Sequence, residues 1–441
     1  MAREGGMNIV QLTPGTGNFY CGSCIRDNAL VQTLGRMGHE VGMVPLYLPH
    51  VLDETAAAND TPIFMGGINV YLQQKSALFR HTPRWLDRLF DTRRFLRWAA
   101  DRSSMTKARD LGELALSMVR GEEGRQNKEL SRLIGYLRDR PDTQVICLSN
   151  VMLIGLARRI RAELDLPVVC TLQGEDGFLD SLDEPYRQQA WDTLRERASD
   201  VDAFVAVSDY YGQRMTEHLD LDPSRVHVVH NGIDLNGYHP PARPSQPPSI
   251  GYLARLSTTK GLDQLVDAFL VLKAHDRVPD LRLKLAGAMT GEDEGFVETL
   301  RRQVTDAGLA HAVEFHPNLS RKEKIRFLQS LTVFSVPATY GESFGLYLLE
   351  AWAAGLPVVQ PRHAAFPELL EATGGGVLCE PNDPQALADA IEILLLRPEE
   401  AHRLGQLGRR RVEEAFTLEH MAEATLSILE QVVAHPIAHP A

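Results

Sequence analysis

The run His239-Pro240-Pro241-Ala242-Arg243-Pro244-Ser245-Gln246-Pro247-Pro248 divides the chain. Five prolines in ten residues lock φ and remove backbone donors, so this stretch can be neither helix nor central strand. It reads as a linker at 239–249, and a chain of 441 residues exceeds what a single core normally holds. Two domains are expected, 1–238 and 250–416, with a last segment 417–441 whose helix spans 418–433.

On both sides of the linker, short apolar runs alternate with helical periodicity, which predicts an α/β fold with parallel sheets. In the first half, a strand at 8–12 leads through a glycine-containing loop to a helix at 23–37, stopped by Gly38, and then to a strand at 40–46. Strands follow at 144–148, 167–172, 203–207 and 226–229, with a helix at 151–164 and another capped by Ser208. The second half restarts with a strand at 249–254 and a helix at 261–273. Further strands are expected at 281–286, 313–315, 333–336 and 357–360.

Composition excludes several classes. A formal charge of -12 argues against nucleic acid as the main partner. Five cysteines (Cys21, Cys24, Cys147, Cys170 and Cys379), odd in number and mostly within apolar runs, suggest a reducing compartment. Residues 1–10 carry no apolar stretch behind a basic start, and no run approaches about 20 apolar residues. A cytoplasmic protein is expected.

The chemistry concentrates in Tyr340-Gly341-Glu342-Ser343-Phe344-Gly345-Leu346-Tyr347-Leu348-Leu349-Glu350-Ala351. It leaves an apolar strand through Pro337 and enters a helix running through Leu346 to Ala354, for which Ser343 is the expected N-cap. A helix start after a strand exit offers free N–H groups and a positive dipole end, which together bind phosphate. At helical rise, the eight positions between Glu342 and Glu350 put them roughly 12 Å apart along the axis and about 80° apart around it. Upstream, Arg255 and Lys260 flank the turn between a strand and a helix, with Gly261 allowing a close approach. Two cations there can neutralise a diphosphate.

These residues resemble the donor site of the retaining glycosyltransferases of family 4. The resemblance rests on Glu342 and Glu350 with Phe344-Gly345-Leu346 between them, on Gly355-Leu356-Pro357-Val358-Val359 behind, and on Arg255 with Lys260. It implies a GT-B fold, with two Rossmann-like domains facing across a cleft and a last helix returning to the first domain. It also implies transfer of a sugar from a nucleotide-diphosphate sugar with retained configuration and without metal or other cofactor. Arg255, Lys260 and Glu342 would be catalytic, Glu342 holding the sugar hydroxyls and the two cations the diphosphate. Glu350 would hold the ribose, and Ser343, Phe344, Gly345 and Leu346 the diphosphate through backbone groups. Asn318 and Leu319 would meet the base, and Gly22 would let the backbone approach the diphosphate from the first domain.

The chain departs from the family in places. Cys21 replaces the first glycine of the pair that ends at Gly22. Gln173 stands where a His contacts the sugar, so Gln173 or Asp176 could make that contact, or the loop could satisfy itself. Ala364-Ala365-Phe366 replaces a Gly-Gly ahead of Pro367-Glu368. Outside the resemblance, residues 73–142 read as a basic helical insertion. Its part 76–109 holds nine basic residues against three acidic. It could cover an anionic acceptor, touch the inner face of a membrane, or be a solvated excursion.

Other readings remain. Cys21-Gly22-Ser23-Cys24 could be a redox pair or half a zinc site, although no second ligand pair follows. Asp200-Val201-Asp202 has the form of a metal–nucleotide D-x-D, yet its place fits a helix-to-strand junction. A GT-B epimerase or a phosphorylase-like enzyme is the alternative to a transferase. The acceptor, whether small molecule, lipid-linked or glycan, is not legible.

Overall fold

The computed structural model describes residues 6–15, 22–47, 108–241 and 246–437. Cys21, most of the basic segment 76–109 and the centre of the proline run lie outside the described residues. The chain divides into two compact units, one of Met1–His230 with Met421–Ala441 and one of Asn231–His420. The division falls ahead of the proline run because the Asn231 turn packs within the second unit. There Ile233 donates its N–H to Phe416 O at 3.0 Å, and Arg321 pairs with Asp234 at 3.1 Å.

Each unit carries a six-stranded, wholly parallel sheet. The first contains β1 (Asn8–Thr13), β2 (Glu40–Pro45), β3 (Val145–Leu148), β4 (Val168–Leu172), β5 (Ala203–Ala206) and β6 (Val226–Val228) in the order β2-β1-β3-β4-β5-β6. The second contains β7 (Ser249–Leu253), β8 (Arg282–Gly287), β9 (Val313–Pro317), β10 (Val333–Phe334), β11 (Val358–Pro361) and β12 (Gly376–Cys379) in the order β12-β11-β10-β7-β8-β9. Parallel strands need covered faces, which is why β4 and β7 are buried at every position rather than alternately. Helix Leu262–His275 covers the second sheet through Leu262, Leu265, Val266, Phe269 and Leu272, at helical spacing. In this sheet the order reverses between β7 and β10, and ligands of open α/β sheets bind outside such a switch point.

Three local expectations are corrected. Strand β10 stops at Phe334, two residues early, because the Val336 N–H is taken by the Gln360 side-chain amide oxygen at 3.3 Å and leaves the ladder. Residues 151–164 form a 3-10 turn, Val151–Leu156, before the α-helix Ala157–Leu164. Ser343 does not cap the following helix, which spans Leu346–Ala353. Its N-cap is Gly345 at φ 97°, with no side-chain hydrogen bond. That left-handed conformation favours glycine. Glu342 therefore lies in the loop before the helix, and the 12 Å helical separation from Glu350 does not apply.

Among the described residues, no helix is long and apolar enough to cross a membrane.

Candidate active site

Lys260 ends the short 3-10 turn Thr258–Lys260 after β7, and Gly261 closes it at φ 67°. A Cβ at Gly261 would lie 1.8 Å from Pro337 O, so only glycine lets this turn press against the exit of β10. Thr339 fastens the two segments by donating its N–H to Thr259 O at 3.1 Å. The Lys260 ammonium is thereby delivered to the loop after β10. It donates to Glu342 Oε2 at 2.5 Å and to Tyr340 Oη at 2.8 Å.

Two hydroxyls complete this cluster. Tyr340 donates to Glu342 Oε1 at 3.0 Å, and Tyr347, in the first turn of Leu346–Ala353, donates to Glu342 Oε2 at 2.8 Å. The Glu342 side chain is 7% exposed. Burial pushes its carboxyl up, but the Lys260 charge and the bonds from Lys260, Tyr347 and Tyr340 outweigh this and hold it below the usual range. The carboxylate is fixed, ionised and aimed.

Arg255 stands on the same side of the switch point but does not join this cluster. Its half-exposed guanidinium pairs with Asp293 at 3.1 Å, and Glu292 lies 3.6 Å away. Glu350, on the second turn of its helix, accepts from Lys324 at 2.5 Å and from Tyr238 at 3.2 Å. Asn318 sits at φ 56°, its side chain closing the turn at Met289 and its N–H donating to Gly287 O at 2.8 Å. Leu319 follows it, half-buried.

In the first unit, Gly22 is exposed at the first position of helix Gly22–Arg36. Gln173 and Asp176 are engaged internally. Gln173 donates to Ser149 O at 2.6 Å and, at 3.4 Å, to Asp27, which is buried beside Arg26. Asp176 accepts from Tyr211 at 3.1 Å and Arg214 at 2.6 Å. The D-x-D carboxylates are likewise taken. Arg158 holds Asp200 at 3.0 Å, while Asp202 accepts from Arg161, from the Val168 N–H and from the Ile437 N–H. Burial pushes the Cys147 thiol up to about 12 and the Cys379 thiol up to about 11, so neither is a reactive thiolate at neutral pH.

Tyr340, Tyr347, Lys324 and Tyr238 were not expected from the sequence. One signal was available: Tyr347 places a hydroxyl inside the otherwise apolar Leu346–Leu349 helix start.

Comparison with known proteins matches this chain to a family. The glycosyl transferases group 1 profile covers residues 239–411, and the glycosyltransferase family 4 profile covers residues 116–236. An alpha-maltose-1-phosphate synthase of Mycolicibacterium smegmatis is 33% identical over 56% of this chain and 68% of its own. The chain belongs to glycosyltransferase family 4. A D-inositol 3-phosphate glycosyltransferase of a Nocardioides species is 31% identical over 52% of this family 4 chain and 53% of its own length. The matched stretch thus spans about half of that relative. Among solved structures, sucrose-phosphate synthase from Thermosynechococcus elongatus aligns over 97% of this chain and 99% of its own, with a TM-score of 0.69 at 17% identity. Anabaena HepE in complex with UDP and glucose aligns over 96% and 99%, with a TM-score of 0.64 at 16% identity. The fold is that of the GT-B glycosyltransferases.

Proposed function

We propose that this family 4 chain transfers a sugar from a nucleotide-diphosphate sugar to an acceptor hydroxyl with retention at the anomeric carbon. The observation that carries the reading is Lys260 bound to the buried, ionised Glu342 at the start of helix Leu346–Ala353. A cation, a sugar-binding carboxylate and a helix N-terminus are what a glycosyl diphosphate needs. HepE, of the same fold, was solved with UDP and with UDP-glucose, so uridine donors are the first to test.

In this mechanism the bond from the anomeric carbon to the β-phosphate oxygen breaks, and a bond to the acceptor oxygen forms on the same face. The acceptor proton passes to the departing phosphate oxygen. Lys260, Arg255 and the backbone of Ser343, Phe344, Gly345 and Leu346 stabilise the charge that grows on the diphosphate, each donor worth roughly 3–4 kcal/mol. Arg255 reaches it by leaving Asp293, and a half-exposed ion pair costs about 1 kcal/mol or less to break. Glu342 fixes the sugar, Glu350 the ribose, and Asn318 with Leu319 flank the base.

The two curated relatives carry a phosphorylated polyol or sugar in their names. A phosphorylated acceptor is therefore proposed here, in keeping with the basic composition of 76–109. The test is incubation with UDP-, GDP- and ADP-hexoses, with and without inositol phosphate or hexose phosphates, and proton NMR of the product. An α-linked product from an α-linked donor is expected. Inverted configuration, or donor epimerised without an acceptor, would overturn the reading.

A further inference from the structure

Tyr347 and Lys260 converge on one oxygen. Lys260 Nζ lies 2.5 Å from Glu342 Oε2 and Tyr347 Oη 2.8 Å from the same atom, while Tyr340 Oη lies 3.0 Å from Oε1. A carboxylate offers about four acceptor directions, two on each oxygen. Among the described residues, Oε2 accepts two bonds and Oε1 one. Tyr347 is itself buried, at 8% exposure, and its hydroxyl would cost free energy at that depth without such a partner.

We propose that Tyr347 is a positioning residue that, with Lys260, saturates Glu342 Oε2, so the carboxylate presents a single acceptor direction, on Oε1, to the donor sugar. The proposal rests on the transferase reading. Glu342 then recognises one hydroxyl in one place, and a donor with that hydroxyl missing or inverted leaves the buried lone pair unmet. Removing the Tyr347 hydroxyl opens a second acceptor direction, on Oε2, while Lys260 and Tyr340 still hold the carboxylate. Discrimination between epimeric sugars relaxes.

The charge state of Glu342 moves in the same experiment. Facing the carboxylate are Lys260 from the turn after β7, Tyr340 from its own loop, Tyr347 from the helix and Tyr252 on β7. Burial pushes the Tyr252 hydroxyl up, and the Glu342 charge adds to the effect. Of these groups, Lys260, Tyr347 and Tyr340 favour the ionised form, so losing the Tyr347 bond shifts the acid limb of the rate profile to higher pH.

The test compares the full-length chain with Tyr347→Phe, which removes one oxygen and no ring volume. Glucose and galactose donors are assayed on whichever of UDP, GDP or ADP the wild type uses, across pH, alongside calorimetry of the nucleoside diphosphate alone. The preferred donor is expected to lose about tenfold in kcat/KM. The ratio between the two epimers should shrink by roughly threefold or more, the acid limb should move up, and diphosphate affinity should stay the same. The ratio and the limb do not depend on the folded fraction, so partial misfolding cannot mask them. A variant that loses rate equally for both donors with an unmoved limb, or that matches the wild type, overturns this proposal and leaves the transferase reading in place. A wild type that moves no sugar overturns the transferase reading itself.

Discussion

The ammonium of Lys260 and the carboxylate of Glu342, separated by 82 positions in the sequence, meet at 2.5 Å across the β7–β10 switch point. Neither side chain is free to drift, since Tyr340 bonds to both. Lys260→Ala and Glu342→Gln should each lower turnover by more than tenfold, consistent with losing a group worth roughly 3–4 kcal/mol in the transition state. Melting temperature and far-ultraviolet circular dichroism check that the fold persists. A folded variant of either kind with near-normal transfer would refute the site assignment.

The same pair makes acid stability depend on Glu342. Its folded carboxyl is held below the ordinary glutamate value of about 4.3. The stabilisation is therefore present above the unfolded pKa and is lost as pH falls through the depressed folded value. Glu342→Gln should be less stable than wild type at pH 7, and the gap should close on acidification below about pH 4. Urea midpoints across that range measure it. A gap that widens at low pH would contradict the sign.

Much of this was legible because strand and helix boundaries follow from local chemistry. Ser208 caps its helix as its type predicts, accepting from the Tyr211 N–H at 3.0 Å, and Gly38 ends the first helix region at φ 93°. The errors arose where tertiary contacts overrode local preference. Ser343 looked like a cap, but the close turn needed a left-handed residue, and Gly345 supplied it. The pairing of Arg255 with Asp293, 38 residues away, was equally out of sight of local reasoning, and it leaves the reading of Arg255 at the diphosphate as a proposal. The Tyr347 hydroxyl was visible in the sequence, but an aromatic residue in an apolar run reads first as core. Only the geometry shows that Tyr347 turns its polar end to a carboxylate.

Lys324 and Tyr238 both meet Glu350 on Oε1, and among the described residues only that oxygen is engaged. On the proposed reading, Oε2 would be the oxygen that receives the ribose. Lys324→Met should let Glu350 reorient, raising the donor KM by about tenfold while kcat stays within twofold. Steady-state kinetics at saturating acceptor separate the two constants. A collapse of kcat at unchanged KM would place Glu350 in the chemistry instead of in nucleotide binding.

The reaction should run in the presence of a chelator. Lys260 supplies positive charge at the site, and Asp200 and Asp202 are committed to Arg158, Arg161 and backbone N–H groups. Transfer rates after EDTA treatment should equal those before it. Full loss, restored by a divalent ion, would assign the diphosphate charge to a metal and demote Lys260.

The loop that carries Ala364 holds strain that a single substitution can release. Ala364 lies at φ 52°, in the left-handed region where a Cβ costs roughly 1–2 kcal/mol. It stands where family members usually place glycine. Glycine also gains freedom in the unfolded chain, which returns about 0.4–1 kcal/mol of that advantage. Ala364→Gly should therefore stabilise the protein by about 0.5–1 kcal/mol, raising the melting temperature by about 1–4 °C for a domain of this size. The neighbouring Ala365 N–H donates to Glu342 O at 3.3 Å, and this bond is retained in the variant, so activity should stay within twofold of wild type. A lower melting temperature would mean that the Ala364 side chain contributes packing worth more than its backbone strain.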